Sequence, residues 1–150
     1  MNVLATCFVK LPAVCLSNRT HKHWRALKDL ADAQKSHTGA AVRSIPLVLQ
    51  NDVRMALAKE PILVRFTVIT VQKMDDDNLQ SSVKYYRDEV ARWLGVDDGD
   101  PRVKYVALWE RYRGKSIRGV RIEFVRFLDH LLEAKLEIEK QISALSRSKP

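Results

Sequence analysis

The sequence predicts an α+β domain in which helices cover a mixed β-sheet and an extended helix forms the C-terminus. Three observations carry this. β-Branched runs and stretches of three- and four-residue apolar spacing follow one another in the order β-α-α-β-α-β-β-α. Pro12, Pro46, Pro61, Gly95 and Gly114 fall between those runs, where breakers belong. At 150 residues, 46% hydrophobic and 29% charged, the chain has the size and composition of one domain with a real core.

Residues 2–9 (NVLATCFV) read as a strand, and LPAVCLSNR after them, with Pro12, Ser17 and Asn18, as a loop. A helix follows from residue 20, with Trp24, Leu27, Leu30 and Ala31 on one face, up to a break at 36–39. A second helix covers 46–59, with Pro46 in its first turn. Pro61 opens ILVRFTVITV, where alternation through Leu63, Arg65, Thr67 and Ile69 predicts a strand with one well-buried face. Leu79, Val83, Tyr86, Val90, Trp93 and Leu94 then predict a single amphipathic helix, capped by Asp77 or Asn78 and ended by Gly95. Residues 102–113 and 117–127 read as two strands of a hairpin joined through Gly114, Lys115 and Ser116. Over 128–146, Leu131, Ile138 and Leu145 keep a seven-residue repeat, with Leu128 and Ile142 on a second row and Lys135 interrupting it. The division expected is a domain over 1–127 and a helical extension over 128–150.

Two cysteines, Cys7 and Cys15, are too few for a disulfide scaffold and lack the spacing of a zinc site, which points to a reducing compartment and a cytoplasmic protein. No apolar run has the length of a membrane span, and no basic segment precedes the N-terminal apolar stretch as a signal peptide requires.

The formal net charge of +8 is unevenly spread. Residues 1–28 contain no acid but carry Lys10, Arg19, Lys22, Arg25 and Lys28, while 102–121 carry Arg111, Arg113, Lys115 and Arg118 among seven bases against Glu110 alone. Such blocks suit the phosphates of nucleic acid, so Arg19, Lys22, Arg25, Lys28, Arg111, Arg113, Lys115 and Arg118 are candidate DNA contacts. Between the blocks, residues 75–100 hold eight acids and three bases. In an extended MDDDNLQ, Asp75 and Asp77 share one face, and two converging carboxylates repel unless a cation lies between them. Hard oxygen ligands select Mg²⁺, with Mn²⁺ as substitute. Whether Asp97, Asp98 or Asp100 joins them depends on where the hairpin lies. The competing reading is structural: acids at a helix N-terminus favour the macrodipole, and Asp-Gly turns are common.

The stretch DDDNLQSSVKYYRDEVARWLGVDDGDPRVKY resembles the core of RusA-type Holliday junction resolvases, with a D-x-D-N-L opening a helix and a D-D pair about twenty residues on. LPAVCLSNR with the basic helix after it resembles the opening of that family, and the likeness covers most of residues 8–127. It implies a crossover junction endodeoxyribonuclease, bacterial or phage-encoded, in which Asp75, Asp77 and Asp98 bind Mg²⁺ and a homodimer cuts both strands of a four-way DNA junction. The family commonly has a lysine four residues after the second aspartate, where this chain has Ser81, and Lys84 is the candidate replacement one turn further. Asp97 and Asp100 remain alternative third ligands. A two-fold dimer suits a substrate of two-fold symmetry, and the C-terminal heptads are a candidate for its interface. The alternative function is a basic DNA-binding module without catalysis, its acids capping a helix and forming a turn.

Overall fold

The computed structural model describes residues 3–11, 24–114 and 118–147. Its sheet is organised by β2 (Ile62–Thr70), which is buried along both faces save for half-buried Arg65 and Thr70 at its end. Ile62, Val64, Phe66 and Val68 are fully buried on one face, and Leu63, Thr67 and Ile69 are buried on the other. A strand of this kind is hidden only in the middle of a sheet. Accordingly β2 is flanked by β3 (Val103–Arg111), parallel in the register Ile62↔Val103 to Thr70↔Arg111, and by β4 (Gly119–Arg126), antiparallel from Ile62↔Arg126 to Ile69↔Gly119. β1 (Val3–Val9) pairs antiparallel with β4, giving the order β1-β4-β2-β3.

Two expectations change here. β2 buries both faces rather than one. The strands over 102–113 and 117–127 form no hairpin, because β2 lies between them and pairs with both. The physical reason is the same for both, since a strand with one wholly apolar face and Leu63 and Ile69 on the other gains more by taking the central position than its neighbours gain by pairing.

α1 (Trp24–Arg43), α2 (Leu47–Lys59), α3 (Asp76–Ser82) and α4 (Lys84–Leu94) contribute Val42, Val53, Leu57, Leu79, Tyr86 and Val90 to a core built on Val64, Phe66, Ile122 and Phe124. Trp93 joins its rim, tilted against the Phe124 ring at 5.3 Å. The expected break at 36–39 is absent. Gly39 lies instead where α1 meets α4: a Cβ there would stand 2.5 Å from Oε1 of Glu89, a buried carboxylate paired with Arg92 at 2.7 Å and Arg43 at 4.0 Å. The glycine is a point of close approach within a continuous helix.

The single helix expected over 78–94 is two helices. The buried Ser82 hydroxyl donates to the Leu79 carbonyl at 2.8 Å, and Val83 N–H reaches Gln80 O at 3.4 Å, so the ladder breaks between them. α4 ends as expected at Gly95, whose φ of +73° and the Val96 N–H to Ala91 O bond of 3.1 Å close a Schellman turn. α5 (Phe127–Arg147) leaves the sheet at the end of β4. Among the described residues no helix is long and apolar enough to cross a membrane.

Gly119 opens β4 at φ +154°, and a Cβ there would collide with the Val9 carbonyl oxygen and the Phe8 ring. Gly119→Ala should therefore destabilise the fold by about 2–3 kcal/mol, read as a lower urea midpoint at unchanged slope.

Candidate metal and phosphate site

Parallel strands require a crossover, and α3 with α4 form the one between β2 and β3. The exit of β2 and the start of β3 therefore lie at opposite ends of the sheet, about 26 Å apart for nine residues at strand rise. Asp75 to Asp77 begin the crossover and Asp97 to Asp100 end it.

At the first end, Asp75 is the N-cap of α3, in place of the Asp77 or Asn78 expected. Its Oδ1 accepts from Asn78 N–H at 2.9 Å and its Oδ2 from Asn78 Nδ2 at 2.8 Å. Asp76 and Asp77 occupy the first helical turn, and all three carboxylates are exposed. The extended geometry that would align Asp75 with Asp77 thus gives way to a helix start, where the macrodipole also favours negative charge. The exit of β2 is pinned from β3: Trp109 Nε1 donates to Thr70 Oγ1 at 3.0 Å and to Gln72 O at 3.1 Å, while Thr70 Oγ1 bonds Gln72 O at 2.8 Å. Trp109 packs against the core and positions this turn as well.

Bases gather at the same end. Arg111 stands beside Thr70 in register, exposed Lys73 precedes Asp75 by two residues, and exposed Arg113 follows β3. Arg118 lines a cleft of about 440 Å³ with Thr70, Val71 and Gln72, its guanidinium 4.8 Å from the Tyr112 ring. Sequence reasoning missed Lys73, although its place directly before MDDD was a signal. Not every nearby base faces outward. Arg121 reaches Glu110 at 2.9 Å and Glu123 at 3.4 Å, and Arg65 reaches Glu123 at 3.0 Å, a ladder across the sheet face away from the core.

At the far end, Asp97 and Asp98 are exposed, whereas Asp100 is engaged. Arg102 donates to it through Nη2 at 2.7 Å, Nε at 3.1 Å and the backbone N–H at 2.9 Å. Those hydrogen bonds hold its carboxyl down at about 2. Tyr105, near the start of β3, has its phenol pushed up to about 12, first by burial, with the Asp98, Asp100 and Asp88 carboxylates adding to the shift and Arg87 opposing it. Asp98 thus belongs to the surroundings of Tyr105. Among the described residues no three His, Cys, Asp or Glu side chains are grouped to hold a metal ion, so one chain does not unite Asp75, Asp77 and Asp98.

Lys84 does not continue the helix that carries Asp77, because it starts a separate one. Its Nζ lies 5.9 Å from the Tyr85 ring, which Lys35 of α1 faces at 5.2 Å, and this turns it toward α1. Arg25 and Lys28 are exposed in the first turns of α1. Arg19, Lys22 and Lys115 lie outside the described residues. Compared with known proteins, the chain matches no family model, no curated protein and no solved structure.

A carboxyl held at about 2 stays ionised far into acid. The Asp100–Arg102 contribution to stability is present above the ordinary carboxylate range and is lost only as pH falls through that lowered value. A carboxyl ¹³C titration should show Asp100 still ionised below the usual carboxylate range, and Arg102→Ala should return it to that range.

Proposed function

We propose that the chain is a Mg²⁺-dependent, structure-selective endodeoxyribonuclease that cuts branched DNA, the four-way junction above all, as a homodimer. One observation carries the reading: the exposed carboxylates Asp75 and Asp77 stand at the carboxyl end of a parallel strand pair with Lys73, Arg111, Arg113 and Arg118 at the same end. The resemblance of the D-x-D-N-L stretch to the RusA type points the same way.

The donor chemistry fits a small hard cation. Mg²⁺ is ordinarily held by one or two protein carboxylates and completes its octahedron with water and substrate phosphate, so two aspartates suffice to begin a site. When bound, it would activate a water and neutralise charge on the phosphate under attack. The chain's own residues do the rest. Asn78 fixes the orientation of the Asp75 carboxylate, as an outer partner fixes a ligand. The first turn of α3 presents Asp77. Lys73 and the arginines offset the repulsion that bare carboxylates exert on DNA and take the phosphates on either side. Lys73 is a nearer ammonium to Asp75 along the chain than Lys84. Asp98 reaches such an ion only by coming from a second copy.

A second reading has its own support: both oxygens of Asp75 accept from Asn78 as in an ordinary helix cap, which is what a basic DNA-binding module without catalysis would show. Cleavage assays on synthetic junction, fork and duplex separate the two. The nuclease reading expects Mg²⁺-dependent nicking of the junction in preference to duplex. Asp77→Asn should cut on the order of 100-fold more slowly while binding the junction undiminished. Binding without metal-dependent cutting, and no rise in melting temperature with Mn²⁺, would leave the second reading standing.

A further inference from the structure

We infer that α5 is a dimerisation arm that pairs antiparallel with α5 of a second copy. The inference deepens the homodimer part of the proposed function and rests on that part alone, since metal-dependent cutting is read in a separate assay. α5 is anchored at its root, where Phe127 N–H donates to Pro61 O at 3.2 Å, and its main contacts with the body are to β4 and β2. Beyond that root, Leu128, Leu131, Leu132, Leu136 and Ile138 are 49–59% exposed. At helical spacing these five cover about half the circumference, an apolar face far wider than a single stray leucine.

Their exposed surface is on the order of 500 Å² per chain and about 1,000 Å² for a pair, the size at which a specific interface begins and the upper end of what a monomer displays. The charges on that face select the occupant. Lys135 and Glu139 sit along the middle of the apolar arc, paired at 3.9 Å, with side chains 73% and 57% exposed. A parallel, in-register pair would set lysine against lysine and glutamate against glutamate. An antiparallel pair with its two-fold axis near residue 137 sets Lys135 against Glu139 of the partner subunit, twice by symmetry. The helix is complementary to itself in one direction only, and a second α5 is the surface that matches it in both apolarity and charge.

Sedimentation equilibrium of the full chain, without DNA or metal, over about 1 to 100 μM tests this directly. The wild type should be dimeric. Lys135→Glu should raise the dimer dissociation constant roughly tenfold or more, Leu132→Glu at least as much, and the swap Lys135→Glu with Glu139→Lys should restore it. Circular dichroism keeps folding in view, since the swap preserves the intrahelical pair that Lys135→Glu loses. A monomer at every concentration would overturn the inference. So would a dimer indifferent to both single variants, or a swap that fails to restore association while helicity is kept. Leu128→Cys in a Cys15→Ser background, with Cys7 buried, fixes the direction: antiparallel helices keep the two thiols apart under mild oxidation, and a disulfide-linked dimer would overturn the antiparallel arrangement.

Discussion

Both faces of β2 must leave water at once, and the placement of the two acid clusters descends from that constraint. Burying Ile62, Val64, Phe66 and Val68 against helices while hiding Leu63, Thr67 and Ile69 on the reverse is possible only with a strand on each side. One of those neighbours is parallel, so the chain between them must cross over, and α3 and α4 are that crossover. Asp75 to Asp77 stand where it leaves the sheet and Asp97 to Asp100 where it rejoins. The two acid clusters are consequently held apart by the length of the strand.

The separation sorts the charges as well. On the sheet face away from the core, Arg65, Glu123, Arg121 and Glu110 satisfy one another. At the far end Arg102 absorbs Asp100, and on the helical side Arg43 and Arg92 hold the buried Glu89. Arg111, Arg113, Arg118 and Lys73 are exposed at the carboxyl end of the parallel pair, around Asp75, Asp76 and Asp77, which begin α3. Ligands of open sheets with parallel strands collect at such ends because loops and helix starts converge there. Trp109, donating across from β3 to Thr70 and Gln72, gives that end a fixed backbone.

Most of the fold was legible in the sequence because periodicity and punctuation are local signals. Among the described residues the four strands lie where the sequence places them, Gly95 ends α4, and Pro46 and Pro61 stand at the boundaries they suggest. What could not be read is non-local or hidden in one atom. The sequence shows β3 and β4 separated by a short glycine-bearing link, and nothing in that link reveals that β2 lies between them. Gly39 looked like a break, since its use, room for the Glu89 carboxylate on a neighbouring helix, is invisible along the chain. The same holds for Ser82, whose hydroxyl splits one predicted helix into two. Those errors propagate to the site. A hairpin placed freely allows Asp98 near Asp75, and one continuous helix sets Lys84 above Asp77, but the crossover and the break at Val83 permit neither within one chain.

The separation of the acid clusters is best tested by an intramolecular distance. Nitroxide labels at Asp77→Cys and Asp98→Cys, in a Cys15→Ser background with Cys7 buried, can be measured by double electron–electron resonance in protein diluted with unlabelled chain. With the two ends set by nine residues of strand, the account predicts a distribution centred beyond about 20 Å. A population centred below about 15 Å would mean that the aspartates converge within one chain, and the crossover described here would be wrong.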